Sequence, residues 1–422
     1  MIVAAPDFWI IFKIGFIFIL IILALRLKLS LGLSLILSAL FLVPLFGIDY
    51  VELFRNILRT VFEPDPKTGS FITVELMLIL YLIGLLESVM RTAGVFDRMI
   101  GSAGHLLRDP RKVAVFFPVL LGVLPSAGGA RFSAPMVGEA LKGSYMKSSK
   151  KAFANYWFRH IWEPILPLYP GLLLASAITG VAISSFVSCQ WPLVVFMLVT
   201  GWFVSFNKVP KPADMPKDGN SFKQHILSIL EGTLPVLFIA AAVLLNNRLF
   251  IPALLAVIIT LQISYRIELR LFPALLKKAL SVEILLLIFG VMYFKNMLDI
   301  SGAIGQLNFY FLFAKVSPLL IVFALPFIAG LLTGVVQAYV GIAFPLILPF
   351  LAQGTGYNIP MLSFAFISGY AGVLLSPVHL CYVLSCGYFE VEIIEGYPYL
   401  FLLVPFLPAM AFCLALLKHS AL

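Results

Sequence analysis

The sequence predicts an all-α membrane protein with about ten transmembrane helices and two re-entrant hairpins, arranged as two inverted repeats. Three observations support this prediction: an apolar composition, regularly spaced apolar stretches of helix length, and an internal repeat at a constant offset. Of the 422 residues, 61% are hydrophobic and only 12% are charged. A water-soluble protein of this size carries about 25% charged residues. The deficit, together with a mean hydropathy of +1.05, indicates a surface that contacts lipid.

Apolar stretches long enough to cross a bilayer recur along the chain. A hydrocarbon core of about 30 Å requires about 20 apolar residues in a helix. Two further stretches, about 112–145 and 317–353, are interrupted by glycine and proline and fit helical hairpins better than simple spans. The ten predicted spans are 8–25, 30–47, 71–90, 161–180, 184–205, 225–245, 249–265, 281–298, 361–388 and 396–417.

Lysine and arginine residues determine the predicted orientation. If ten spans alternate and both hairpins re-enter, most of these residues fall on one side of the membrane. The positive-inside rule makes that side cytoplasmic. We therefore expect a multi-pass protein of the cell (inner) membrane whose termini are both extracytoplasmic. The net charge of +9 lies in loops, so the lipid bilayer and not a nucleic acid is the expected partner.

The two halves of the chain resemble each other at one offset. An odd number of crossings in each half, five spans and one hairpin, places the second half upside down relative to the first. Inverted repeats of this kind are typical of secondary transporters, whose substrate sites lie at mid-membrane where broken helices meet. The predicted organisation is a first repeat over 1–205, a polar cytoplasmic linker over 206–224 and a second repeat over 225–422. Four pairs separated by 208 residues are Thr73 with Ser281, Gly94 with Gly302, Pro118 with Pro326, and Gly122 with Gly330.

The tip of the first hairpin carries groups suited to an anion. Between Gly122 and Pro135, a proline and a glycine pair end the helix and free backbone groups, which survive at membrane depth only beside protein or water. The hydroxyl of Ser126 and a helix N-terminus beside it form a natural anion or ion site. A cation at bilayer depth costs about 2.5–3.5 kcal/mol, so we expect Arg131 to bind substrate or to pair with Glu163.

The second tip and the two proline-broken spans add further candidate residues. The second tip offers Thr333, Gln337 and Tyr339, of which the last two equally fit hydrogen bonds between helices. Glu163 lies at the first break and His379 at the second, and burial favours the uncharged form of such groups, so either is a candidate for binding a coupling proton. The alternative interpretations are a salt bridge for Glu163, with Arg159 or Arg131, and a structural role for His379.

Two segments carry a resemblance to a known family. Residues 124–135, LPSAGGARFSAP, and residues 375–379, LSPVH, resemble a prokaryotic integral-membrane family placed in the ion transporter superfamily. The resemblance covers essentially the whole chain and implies a secondary transporter related to gluconate-permease-like, citrate and dicarboxylate carriers. Neither tip has the Ser-Asn-Thr sequence of the sodium-coupled dicarboxylate carriers. The resemblance implies that substrate and coupling ion bind at Ser126, Gly128, Gly129, Thr333, Gly334 and Ser376.

These features predict a secondary active transporter, a symporter of a small organic anion coupled to a proton or sodium gradient by an elevator-like or alternating-access mechanism. The alternatives are a cation/proton antiporter and a lipid-phosphate flippase or membrane-embedded enzyme. No HExxH, GxSxG, Walker A or Rossmann pattern occurs, so we predict no enzyme. The four cysteines form no CxxC motif, so we expect no metal site and no cofactor beyond a sodium ion or proton. Amphipathic arms at the membrane surface favour a homodimer.

Overall fold

The fold is built from apolar helices. The computed structural model describes residues 8–66, 69–107, 109–123, 129–207, 209–210 and 222–419. Within these ranges seven helices are long and apolar enough to cross a membrane, and a pair bent by 64° makes an eighth when taken as one span. In such helices every backbone group is satisfied internally, as lipid requires. The protein is therefore an all-α, multi-pass membrane protein, which confirms the predicted fold class.

The described part of the first half consists of helices of very different length. Long apolar helices stand beside short ones, some of which are amphipathic, and polar side chains begin several of them. The side chain of Asp49, for example, accepts a hydrogen bond from the backbone of Val51 and caps the third helix. The helices are α1 (Trp9–Arg26), α2 (Leu31–Phe46), α3 (Tyr50–Phe62), α4 (Ile72–Thr92), α5 (Val95–Leu106), α6 (Pro110–Gly122), α7 (Ala130–Ala140), α8 (Ser148–Arg159), α9 (Pro170–Thr179) and α10 (Ile183–Phe206).

The second half repeats much of this order of elements. It also contains two 3₁₀ turns, Asn247–Leu249 and Leu269–Leu271, and a two-residue hairpin of strands β1 (Ala352–Gln353) and β2 (Gly356–Tyr357). The helices are α11 (Phe222–Leu245), α12 (Phe250–Ser264), α13 (Phe272–Ala279), α14 (Val282–Ile300), α15 (Ala303–Phe313), α16 (Pro318–Thr333), α17 (Val336–Leu351), α18 (Ile359–Leu375), α19 (Leu380–Tyr388), α20 (Ile393–Leu403) and α21 (Phe406–His419).

Proline breaks the helix that follows each hairpin. The two predicted hairpins correspond to the helix pairs α6–α7 and α16–α17, which contact each other within each pair. The predicted span 161–180 forms turns over 160–168 and becomes helical only in α9, because Pro164 and Pro167 cannot donate backbone hydrogen bonds. The predicted span 361–388 divides into α18 and α19 at Pro377. Each break therefore lies beside a hairpin, since α8 contacts α6 and α18 contacts α16.

Helices of the two halves contact one another in reciprocal pairs. Helix α2 packs on α14 and α12 packs on α4, while α7 packs on α19 and α17 packs on α9. By their order along the chain, α2, α4, α7 and α9 correspond to α12, α14, α17 and α19. A two-fold relation between the halves produces contacts of this reciprocal kind. The contacts agree with the internal repeat, and the inversion of the second half across the membrane stays a prediction.

Glycine lets the helix backbones approach closely at these crossings. A Cβ atom added to Gly32 in α2 would lie 2.2 Å from the carbonyl oxygen of Leu286 in α14. A Cβ on Gly290 would lie 2.4 Å from the carbonyl oxygen of Gly32. The α16–α18 pair is equally tight, since a Cβ on Gly330 would lie 2.2 Å from the carbonyl oxygen of Gly369. Small residues serve this purpose in membranes because lipid supplies no hydrophobic force between helices.

We expect the substitution Gly290→Ala to destabilise the protein by about 1–3 kcal/mol, because the added methyl group must displace the backbone of α2. The measurement is the thermal unfolding midpoint of purified protein in detergent. Gly15→Ala is the matched control, since a Cβ there meets nothing within 4 Å. A midpoint for Gly290→Ala that equals the control's would show that α2 and α14 do not approach this closely.

Candidate functional site

Buried side chains satisfy the carbonyl groups at the helix breaks. A helix that ends inside the membrane leaves its last carbonyl groups without intrahelical partners, and an unsatisfied group there costs several kcal/mol. In this protein tyrosine, arginine and histidine supply the missing donors. The bonds are Tyr169 to Gly122 at 2.6 Å, Arg159 to Leu121 at 3.0 Å, Tyr370 to His160 at 2.5 Å, Tyr156 to Leu374 at 3.1 Å, Tyr397 to Leu375 at 3.0 Å and His379 to Gly334 at 2.7 Å.

Two of these bonds join the two halves of the chain. The phenol of Tyr370, in α18, donates to the carbonyl oxygen of His160 at the end of α8. The phenol of Tyr156, in α8, donates in return to the carbonyl oxygen of Leu374 near the end of α18. Each break is thus held by a side chain from the other half. The site between the breaks forms only when both halves have packed together.

Two histidines and a cysteine lie at the centre of this region, and we call His160, His379 and Cys381 the histidine cluster. The two Nε2 atoms are 3.0 Å apart, and the possible ligand atoms of all three residues lie within 4.8 Å of one another. Both imidazoles are buried, with 5% and 9% of their surface exposed. His160 follows α8 and His379 precedes α19, so the cluster sits where the two breaks face each other.

Three buried polar atoms near the breaks have no hydrogen-bond partner among the described residues. They are Oδ1 of Asn155, Oε2 of Glu163 and Oγ of Ser376. Nδ2 of Asn155 donates to the carbonyl oxygen of Ala130 at 3.2 Å and to Oγ of Ser385 at 2.9 Å, so that residue links the start of α7 to α19. Buried polar atoms are rarely left unpaired, and a ligand, an ion or a water molecule commonly completes them.

The buried arginine of this region is Arg159. Its side chain is part of the interior with only 4% of its surface exposed, it donates to the carbonyl oxygen of Leu121 beside the first tip, and its charge acts on Glu163. Arg131, by contrast, is exposed in the first turn of α7. Of the two arginines considered from the sequence, the structure thus buries Arg159 and leaves Arg131 exposed.

The predicted residues of the second tip and the second break lie close together. Gly334, Ser376 and His379 come together, since a Cβ on Gly334 would lie 2.9 Å from both Oγ of Ser376 and the backbone nitrogen of His379. Gly334 can occupy this position because its φ is +66°, a conformation that side chains disfavour. Thr333 bonds the carbonyl oxygen of Ala329 at 2.7 Å.

The first tip is only partly described. Ser126 and Gly128 lie outside the described residues, and Gly129 directly precedes α7. Both flanks of the tip are held, since Tyr169 donates to Gly122 before it and Asn155 donates to Ala130 after it. In the second hairpin, Gln337 is half-buried in the first turn of α17.

Sequence analysis gave no functional role to His160, Asn155 or Cys381, and it named Arg159 only as a possible salt-bridge partner of Glu163. The structure places all four around the breaks. One signal could have found the cluster: Cys381 is two residues from His379, and histidine and cysteine at short spacing are metal-ligand types. The partner His160 is 219 residues away and carried no local signal.

The fold and the site define a multi-pass membrane protein whose buried polar groups meet at two broken helices. The chain matches the family described as "Protein of unknown function (DUF401)" over residues 10–417, and it belongs to that family. The crystal structure of the Alcanivorax borkumensis YdaH transporter has a similar fold, with a TM-score of 0.65 and 16% sequence identity. The match covers 93% of this chain and 98% of that chain. No curated protein sequence matches the chain.

We expect Tyr169→Phe to destabilise the protein by about 1–3 kcal/mol, because the carbonyl group of Gly122 would be left buried without a donor. The measurement is again the thermal midpoint in detergent. Tyr145 is 92% exposed, so Tyr145→Phe is the matched control and should change stability by less than about 0.5 kcal/mol. Equal midpoints for the two variants would contradict the assigned hydrogen bond.

Proposed function

We propose that this protein is a secondary active transporter of a small anion, an organic acid, driven by a proton or sodium gradient. The observation that supports this most is the set of unpartnered buried atoms, Oδ1 of Asn155, Oε2 of Glu163 and Oγ of Ser376, beside two broken helices. Helix breaks at membrane depth are where transporters bind substrate and coupling ion. The fold shared with the YdaH transporter supports transport as the general activity.

We assign the substrate's negative charge to Arg159. A guanidinium group matches a carboxylate with two parallel hydrogen bonds, which gives orientation as well as affinity. The residue is buried beside the first tip and beside Glu163, so an anion there would be shielded from water and strongly attracted. Arg131 is the second candidate and, being exposed next to the tip, is better placed to meet an arriving anion than to hold a bound one.

The rest of the proposed substrate site consists of the polar groups that line the two tips and the second break. Ser376 offers an unpartnered hydroxyl, and Gly334 brings the backbone of the second tip against it. The remaining members extend the site along both tips. They are Ser126, Gly128, Gly129, Thr333 and Gln337.

Glu163 is the proposed binding site for the coupling cation. Its Oε2 atom is buried without a hydrogen-bond partner in the described structure, and an unpaired carboxylate in such surroundings attracts a cation. The charges of Arg159 and His379 act on this carboxylate, so cation binding and anion binding are electrostatically linked. An antiporter that exchanges two cations would use the same carboxylate but would need no anion at Arg159.

A lipid phosphate is a poorer fit as substrate. A groove of 690 Å³ opens between α16, α18 and the last two helices, and it is lined by aromatic and aliphatic side chains, with Ser317 as its polar member. The groove suits acyl chains, but a phosphate headgroup would require basic residues beside it. The described lining contains none.

The proposed function is tested first by binding and then by transport. Purified protein is screened by thermal shift against lactate, succinate, citrate, gluconate and inorganic phosphate, each in sodium and in potassium buffer. A ligand that binds the folded state raises the midpoint. Any hit is then measured as radiolabelled uptake into proteoliposomes under an imposed pH or sodium gradient. Accumulation under neither gradient, for every anion tested, would contradict the proposal.

We expect Glu163→Gln to separate exchange from accumulation. The amide cannot bind the coupling cation, so the variant should exchange labelled for unlabelled substrate but lose gradient-driven accumulation. Glu139, exposed on α7 and paired with Lys142, supplies the matched control Glu139→Gln. Accumulation by the Glu163→Gln variant at the parent's level would remove Glu163 from coupling.

We also expect Arg159→Lys to weaken substrate binding more than Arg131→Lys does. Lysine keeps the charge but cannot make the paired bonds of a guanidinium, so the loss at a buried binding residue should be roughly 10-fold or more in apparent affinity. Arg131→Lys should change the apparent affinity by less than about threefold. The opposite order of the two effects would return the anion site to Arg131.

A further inference from the structure

The facing imidazoles of the histidine cluster need a cation between them. Nδ1 of His160 lies 2.6 Å from the carbonyl oxygen of Tyr156, and Nδ1 of His379 lies 2.7 Å from the carbonyl oxygen of Gly334. A carbonyl oxygen only accepts hydrogen bonds, so in both rings the proton must be on Nδ1. Each Nε2 of a neutral ring then presents a lone pair, and the two Nε2 atoms are 3.0 Å apart.

Two lone pairs at this separation repel each other unless a proton or a metal ion lies between them. A shared proton would account for the two imidazoles alone. A third potential metal ligand lies beside them, because the Cys381 thiol is hydrogen-bonded to His160 and its sulfur lies within 4.8 Å of a ring nitrogen of each histidine. Two imidazole nitrogens and a sulfur form a donor set that suits zinc and related soft or borderline transition metals.

We propose that the histidine cluster binds a transition metal ion, Zn²⁺ in the first place, through Nε2 of His160, Nε2 of His379 and Sγ of Cys381. Tetrahedral Zn²⁺, with bonds of about 2.0–2.1 Å to nitrogen and about 2.3 Å to sulfur, places two nitrogen ligands about 3.3 Å apart and a nitrogen and a sulfur about 3.6 Å apart. The nitrogens, 3.0 Å apart, therefore need to separate by only about 0.3 Å, and the sulfur, which lies within 4.8 Å of them, must come to about 3.6 Å.

The surroundings of the cluster are those of a metal site. Histidine ligands usually donate their other ring N–H to a carbonyl or carboxylate group, which fixes the ring's orientation, and both histidines here do so. The charge of Glu163 acts on His379 and on Cys381, and this carboxylate balances the positive charge of the ion.

The metal would join the two helix breaks directly. His160 belongs to the first break, and His379 and Cys381 belong to the second, so one ion would have ligands from both halves of the chain. This role goes beyond the proposed transport function and does not depend on it. It assigns His379 to metal binding and leaves Glu163 as the coupling residue.

The test begins with the metal content of the whole protein. Protein purified on a peptide-affinity tag, without a metal resin, is analysed by mass spectrometry of its elements as isolated, and again after chelation and addition of ZnCl₂. We expect one zinc ion per chain after addition and a higher thermal midpoint than in the chelated protein. Because these readouts need no transport, a failed uptake assay leaves this result intact. Protein that takes up no zinc after addition would overturn the proposal and leave the shared proton.

Cobalt substitution then locates the site. Addition of CoCl₂ to chelated protein should give visible bands of four-coordinate cobalt and a near-ultraviolet sulfur-to-cobalt band. Cys381→Ser should abolish the sulfur band and weaken binding by more than the roughly 10- to 100-fold that loss of a supporting hydrogen bond costs. Cys386→Ser, a buried cysteine on the same helix but outside the cluster, is the matched control and should retain both. A sulfur band that survives in Cys381→Ser would place the metal elsewhere and overturn the assignment.

Discussion

The carbonyl groups left by broken helices are the constraint on which this structure depends. A membrane interior offers no water to satisfy them, so each break is possible only where a donor side chain lies against it. The phenols of Tyr169 and Tyr370 and the imidazole of His379 meet this requirement. The tyrosines and histidines around the breaks thus satisfy the backbone groups of a chain that is irregular where it is buried. Any binding chemistry at the breaks depends on them first.

Because each break has one donor from the opposite half, the site forms only as the two halves pack together. The bonds from Tyr370 to His160 and from Tyr156 to Leu374 cross between the halves in both directions. A change that loosens the packing of one half therefore removes donors from the break in the other half. Stability and binding are expected to respond together to mutation in this region.

The residues that interrupt helices could be predicted from the sequence. The residues that come into contact across the fold could not. Pro164, Pro167 and Pro377 predicted both interrupted spans, because proline cannot continue a helix whatever surrounds it. The reciprocal packing of the two halves agrees with the internal repeat, which gave no indication of which helices would touch. The pairing of His160 with His379 is different in kind. It joins positions 219 residues apart and depends on how α8 and α19 pack.

The two arginines show the same limit of prediction from the sequence. Arg131 stood out because it lies in the glycine-rich tip, whereas Arg159 lies on a helix whose sequence reads as an ordinary basic boundary. Hydropathy gives the depth of a helix only approximately, so it could not tell which of the two arginines turns inward. The structure buries Arg159 because α8 contacts α6, α7, α10 and α19 on several sides. Depth in the membrane and burial in the protein are separate properties.

The close crossing of α2 and α14 has a consequence for synthesis of the chain. The backbone of Gly32 fits against Leu286 and Gly290, which follow it by more than 250 positions (290 minus 32 is 258). At a translation rate of about 5–20 residues per second, α14 leaves the ribosome about 10–50 s after α2. During that interval the face of α2 that carries Gly32 contacts only lipid or transient protein neighbours. The first half is inserted early but lacks part of its helix packing until the helices of the second half are inserted.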